Sequence, residues 1–230
     1  MPRVARIVAR GYPHHVVQRG NNRQTVFFDN QDRKYYLELL KKYSTVSGCK
    51  INAYCLMPNH IHILMVPQQD NSLAKTMQKL SLRFTQHINK KFKRTGRLWE
   101  CRFHSAVVDT ESYLWTVCRY IERNPVTGRI VENPEDYKWS SAIFNTTDKK
   151  CEFLDPICVD YKGRVEYKKF LNTPGAKEEI EMVKKRTFEG KPIGESGFMK
   201  KVSEMLGIVI KDRPKGRPHK LAEKMGCVPI

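Results

Sequence analysis

Residues 54–66 read YCLMPNHIHILMV, and this stretch constrains the fold more than any other. Two apolar runs flank Pro58-Asn59, a turn signal, so the stretch predicts two strands joined by a tight hairpin. The second run carries His60 and His62 with Ile61 between them. Side chains two apart on a strand leave the sheet on one face. Both imidazoles are therefore expected on the same side, close enough to share a metal ion, while Ile61, Ile63 and Met65 face a core. A strand that places His twice where its neighbours place Ile, Leu and Val uses that face for something other than packing.

The flanking chain predicts an α+β pattern. Residues 14–19 read as a first strand, followed by the turn-prone loop Gly20-Asn21-Asn22-Arg23, which Arg19 and Arg23 bracket. A helix is expected over about 32–47, where Tyr36, Leu39, Leu40, Tyr43 and Val46 recur at three- and four-residue steps and Gly48 offers a stop. After the hairpin, over about 50–66, a second helix is expected over 73–92. Ser72 would cap it, and Leu73, Met77, Leu80, Phe84 and Ile88 form its stripe. A fourth strand over 103–108 leads to a third helix over 111–123, capped by Thr110 and ended by Asn124-Pro125. The order β-α-β-β-α-β predicts a ferredoxin-like (split β-α-β) sandwich, with helices on one face of an antiparallel sheet. The pattern loosens at 145–150 (NTTDKK), which divides the chain into a domain over 1–148 and a mostly helical region over 149–230. That region predicts helices over 177–186 and 197–206 and a basic, Pro-containing mobile tail.

Charge narrows the partners. The chain has 42 Lys and Arg against 24 Asp and Glu, a formal charge of +18. This balance suggests a polyanion, nucleic acid ahead of an anionic membrane surface. No apolar run approaches the roughly 20 residues of a membrane span, and no signal core follows the basic N-terminus. A cytoplasmic, nucleoid-associated location is expected. The seven Cys never form C-x-x-C and read as free thiols in a reducing compartment.

Two imidazoles on one strand face are a partial metal site, suited to Mn, Zn, Co or Ni, and to Mg where oxygen ligands complete the shell. They read equally as polar residues on a half-buried sheet. Tyr120 and Asn124, four apart, lie on one face of the third helix. Asn124 offers an amide oxygen that could join His60 and His62, and Tyr120 offers a phenol beside them. A phenol with a pKa of roughly 10 is a poor nucleophile unless a nearby cation favours the phenolate. A metal that also polarises a phosphodiester would serve both ends of such a reaction. Taken alone, Tyr120 reads as a tyrosine packed on the sheet and Asn124 as a helix end before proline. Tyr113 is a rival nucleophile, but it lacks an oxygen ligand one turn on.

Between Lys75 and Arg102 stand nine basic residues and one acid, Glu100, enough to neutralise a run of phosphates. Trp99, Phe103 and Phe92 are interleaved and suit base stacking; the same residues also fit a solvated helix face over core aromatics. The expected DNA contacts are Arg19, Asn22, Arg23, Arg83, Lys90, Lys91, Lys93, Arg94, Arg97, Trp99 and Arg102. Arg217 joins them, in a Lys215-Gly216-Arg217-Pro218 stretch that resembles a minor-groove hook.

The HIH doublet followed by RYIERNPV (119–126) resembles the single-tyrosine transposases of the HUH endonuclease superfamily, and most of all the REP-associated tyrosine transposases. RGNNRQTVFF (19–28), AYCLMPNHIHIL (53–64), GRLWECRFHS (96–105) and the distal KPIG and GRPHK agree with it. The resemblance implies a ferredoxin-like nuclease acting on single-stranded DNA beside a hairpin. It implies that Tyr120 attacks a phosphodiester, forms a 5′-phosphotyrosyl link and releases a 3′-hydroxyl. A divalent Mg or Mn would be held by His60, His62 and Asn124, where better-known branches carry Gln. Monomer and homodimer both fit. Two rivals stay open: a non-catalytic nucleic-acid-binding sheet of the same element order, and a hydrolytic metal phosphoesterase in which water attacks.

Overall fold

The structure is a computed structural model and describes residues 6–210. Strands β1 (His14–Arg19), β2 (Cys49–Met57), β3 (His60–Pro67) and β4 (His104–Val107) form one antiparallel sheet in the order β2-β3-β1-β4. With helices α1 (Asn30–Ser47) and α2 (Ser72–Lys91) between them, this is the expected ferredoxin-like arrangement. The start of α1 is fixed by a reciprocal cap. Asp29 accepts from the Asp32 amide at 2.9 Å, and the Asp32 carboxylate accepts from the Asp29 amide. Gly48, at φ +69°, ends it as expected, because the left-handed conformation there suits glycine.

The two helices of that unit lie on one face of the sheet, as expected, and later helices cover the other. α1 and α2 pack together over the face that bears Val16, Gln18, Ile61 and Ile63, where the Ser81 hydroxyl donates to Gln18 at 2.8 Å. The opposite face, with both histidines of β3, is covered by α3 (Leu114–Glu122) and α7 (Lys177–Glu189). The reason is topological: the split β-α-β unit supplies helices to one face only, so elements after β4 must cover the other. α3 also begins later than expected. Thr110 does not cap it; residues 110–113 turn, and Tyr113 sits at the cap. Between α3 and α7 lie α4 (Asn124–Thr127), α5 (Ala142–Thr146) and α6 (Tyr161–Asn172), and α8 (Ser196–Leu206) follows.

The apolar core runs through residues on both sides of position 148. Cys158, Tyr167, Leu171, Val183 and Ile193 join Val117, Cys118 and Ile121 in one cluster. Both sheet edges receive backbone bridges from later chain: Ser140 and Leu154 pair with Cys55 and Ile51 of β2, and Ile193 pairs with Val108 beyond β4. Among the described residues all six cysteines are free thiols, and no helix is long and apolar enough to cross a membrane.

A buried carboxylate ties α3 to α5 and α6. Glu122 is fully buried and accepts from the Ser141 hydroxyl at 2.5 Å, the Asn145 amide at 2.8 Å and the Tyr167 hydroxyl at 2.7 Å. Burial raises its pKa from 4.5 to about 7, against the pull of those three donors. The folded state therefore holds this proton more tightly than the unfolded chain. The stability this gives is fully present below about pH 4.5 and is lost as the pH rises through about 7. Glu122→Gln removes the titration. The stability of the parent relative to this variant should fall by up to roughly 3 kcal/mol between those limits. Urea titrations of both proteins across that range read the difference, and a flat difference would refute the buried proton.

Candidate active site

In the pairing of β1 with β3, Arg19 lies opposite His60, Val17 opposite His62 and His15 opposite Leu64. Directly opposed residues share a face, so His15, Arg19, His60 and His62 all leave the sheet on one side. The rings of His60 and His62 are 5.0 Å apart between centroids. α3 runs over this face and brings the Tyr120 ring to 5.5 Å from His62 and 5.6 Å from His15. Of the two tyrosines considered from sequence, only Tyr120 makes ring contact with the histidines; Tyr113 sits at the start of α3.

Each imidazole of the pair has its Nδ1 engaged. His60 Nδ1 lies 2.7 Å from Asn59 Oδ1. The Asn59 amide is oriented by its Nδ2, which donates to the Arg23 carbonyl at 3.0 Å. Its Oδ1 can therefore only accept, so His60 Nδ1 carries the proton and Nε2 is bare. His62 Nδ1 lies 3.0 Å from His15 Nε2. The turn that holds Asn59 is locked to the loop after β1. The Gly20 amide donates to the Asn59 carbonyl at 2.8 Å, and the Val26 amide donates to the Pro58 carbonyl at 2.9 Å. A Cβ on Gly20 would stand 2.3 Å from the Gln24 carbonyl oxygen, so only glycine fits there.

Burial pushes these groups toward their neutral forms. His60 is lowered to about 4 by burial and then by the Arg19 charge. His15 is lowered to about 3 by burial. His62 falls well below its ordinary range through burial, His60, His15 and Lys184. Neutral imidazole is the form that ligates metals. Burial also raises the Tyr120 phenol to about 12, so it is protonated at neutral pH. Asn124 donates from Nδ2 to the Tyr120 carbonyl at 2.6 Å, which leaves its Oδ1 as the free end of the amide. With Tyr120, Thr116, Arg123 and Lys184 it lines a cleft between α3 and α7. Among the described residues no three His, Cys, Asp or Glu form a metal cluster; the face offers two imidazoles, and the Asn124 amide stands in the cleft beside Tyr120.

The family described as "Transposase IS200 like" matches residues 9–124, just over half of the chain. The chain belongs to the IS200-like transposase family. It is also similar to a Haemophilus influenzae protein described as a REP-associated tyrosine transposase, with 31% identity over 100 residues. That match covers 39% of this chain and 56% of the relative, so the chain spans little more than half of the relative's length. The solved structure of a REP-associated tyrosine transposase bound to a REP hairpin shares the fold. Its TM-score is 0.55 at 16% identity, over 69% of this chain and all of that one.

The remaining residues singled out from the sequence are spread over the surface and the core. Asn22 and Arg23 are exposed in a 3₁₀ turn, both at positive φ, and Arg19 is paired with Glu100 at 3.1 Å. Arg83, Lys90, Lys93, Arg97 and Arg102 are exposed, and Arg94 is half-buried, reaching the Arg97 carbonyl. Lys91 is exposed and bridges Asp29 and Asp32, each at 2.7 Å. One reading is corrected. Trp99 is no stacking platform, since it is 7% exposed and packs on Phe84 and Tyr36. It is drawn inward because its backbone bridges to Gly20. Phe103 is buried as well, whereas Phe92 is exposed beside Phe28, ring centroids 4.3 Å apart. Arg217 lies outside the described residues. His15, Asn59 and Lys184 were missed. His15 lay in a recognised strand, but its face could be read only once the pairing register was known.

Proposed function

We propose that this transposase cleaves and rejoins single-stranded DNA beside a hairpin through a covalent Tyr120 link. The observation that carries the reading is the placement of the Tyr120 ring against His62, with Arg123 and Lys184 lining the same cleft. The Tyr120 oxygen attacks phosphorus and the bond to the 3′-oxygen breaks, which leaves a 5′-phosphotyrosine and a free 3′-hydroxyl. The phenol proton leaves to solvent, and the departing 3′-oxygen takes one up. Rejoining is the reverse attack by a 3′-hydroxyl, so the bond energy is conserved and no nucleotide cofactor is required.

A phenol held near a pKa of 12 needs positive charge beside it. His60 and His62, each neutral with Nδ1 engaged, and the Asn124 oxygen suit a divalent Mg or Mn. When bound, such an ion would act as a Lewis acid on the scissile phosphate and stabilise the phenolate. Lys184 adds charge from α7. The chain's formal charge of +18 supports a polyanionic partner. The REP hairpin held by the solved relative makes hairpin DNA the first substrate to test.

Labelled hairpin DNA with a single-stranded flank, incubated with the protein and Mg or Mn, should give a denaturant-stable shifted band. Cleavage without that band would favour the hydrolytic reading, and binding without cleavage would favour a non-catalytic module. The cations near the end of α2 make a separate prediction. Reversing Lys90, Lys93 and Arg94 should weaken single-strand binding and reduce the log–log salt slope by roughly 0.7 per lost phosphate contact. The circular dichroism spectrum should be unchanged. Lys91 is left out because its charge already meets Asp29 and Asp32. A slope equal to the parent's would put the DNA elsewhere.

A further inference from the structure

We infer that Thr187 and His15 form a hydrogen-bond relay that fixes His62 in the tautomer with a bare Nε2, making α7 a working part of the active site. The relay is buried throughout: Thr187 is 1%, His15 1% and His62 3% exposed. Buried polar groups of this kind are paired, so each hydrogen is assigned to a neighbouring acceptor.

The direction of every bond follows from the far end. The Thr187 hydroxyl has one hydrogen and lies 2.7 Å from the Val183 carbonyl, which can only accept. Having donated there, Thr187 Oγ1 can only accept from His15 Nδ1, 2.8 Å away. His15 meets only the Thr187 hydroxyl and the His62 ring, with no carboxylate among its hydrogen-bond partners, and a neutral imidazole has one N–H. Its Nε2 is therefore a lone pair and accepts from His62 Nδ1, 3.0 Å away. His62 thus holds its one hydrogen on Nδ1 and leaves Nε2 bare. The reversed chain, with the threonine hydroxyl turned to His15, would put the hydrogen on His62 Nε2 and lose the bond to Val183. It makes two bonds where the assigned direction makes three.

His60 reaches the same tautomer by a separate route, through Asn59 and the loop after β1. The two ligand candidates are thus set from opposite ends of the chain. Asn59 lies inside the family segment of residues 9–124, and Thr187 lies beyond it. The consequence for metal binding rests on the proposed function, whereas the tautomer itself does not.

The test reads both. In metal-free protein carrying ¹⁵N-labelled histidine, long-range ¹H–¹⁵N spectra should show His62 protonated at Nδ1. Thr187→Val keeps the shape of the side chain but removes the acceptor for His15 Nδ1. His15 should then donate from Nε2 instead, and His62 should change to the Nε2-protonated form. Calorimetry with Mn alone should show affinity falling by roughly tenfold to a hundredfold, the range for lost partners of metal-binding histidines. Thr187→Ser restores the hydroxyl and should recover both readouts. A parent His62 protonated at Nε2, or a Thr187→Val protein with the parental tautomer, would overturn the relay. If no variant nor the parent binds Mn, the metal part of the proposed function fails, and the spectra still decide the relay.

Discussion

Tyr120→Phe is expected to abolish the covalent adduct and strand cleavage while leaving hairpin binding nearly intact. The change deletes one oxygen and keeps the ring that packs against His15 and His62. Among the described residues the Tyr120 hydroxyl makes no hydrogen bond. A purely structural hydroxyl would in any case be worth about 1 kcal/mol and a modest change in rate. A nucleophile has no substitute on this helix. Thr116 lies one turn earlier and donates to Glu179. Tyr113 is roughly 10 Å back along the axis. The two outcomes differ in kind, since one loses the adduct entirely and the other slows the reaction slightly. A denaturing gel with labelled DNA reads the result. An adduct that survives in Tyr120→Phe and disappears in Tyr113→Phe would move the nucleophile to Tyr113.

His60→Ala should give a different phenotype. Cleavage is expected to fall by a hundredfold or more, since removing a ligand should cost at least what removing a ligand's supporting partner does. Part of the loss should be recovered at high Mn concentration, because His62 and the Asn124 oxygen remain. Folding should be little affected: His60 is half-buried, and its side-chain partner Asn59 keeps its bond to the Arg23 carbonyl. The measurement is the cleavage rate as a function of metal concentration. Parental rates at every concentration would remove His60 from the metal site.

Local periodicity made much of this architecture legible. The alternation in HIHILMV put His60 and His62 on one face before any partner strand was known, and the four-residue step from Tyr120 to Asn124 put the phenol and the amide on one helix face. What stayed hidden depends on contacts across the chain. His15 becomes part of the site only through the pairing of β1 with β3, and Thr187 reaches it from 172 residues away. Lys91 looked like one cation among several because the capping acids Asp29 and Asp32 lie about sixty residues earlier. Trp99 sat in a basic run, yet its neighbour across the chain is Gly20. The RYIERNPV motif is itself divided. Tyr120 and Asn124 border the cleft, while Glu122 ties α5 and α6 to α3. Arg119 lines the same cleft, pairs with Glu179 and lies 3.9 Å over the Phe170 ring.

The bridges along the two outer strands bear on how copies of this protein could associate. An exposed strand edge is a template on which another chain can extend a sheet. Here the outer edge of β2 already donates its Leu56 amide to the Trp139 carbonyl at 2.9 Å and accepts at the Ile51 carbonyl from the Asp155 amide at 2.7 Å. Beyond β4, the Ile193 amide donates to the Val107 carbonyl at 2.7 Å and the Ile193 carbonyl accepts from Asp109 at 2.8 Å. At these positions two copies could pair sheet to sheet only after residues 139–141, 154–155 or 193 were displaced. A dimer that leaves those bonds in place leaves the bridged positions of both edges closed to a second sheet.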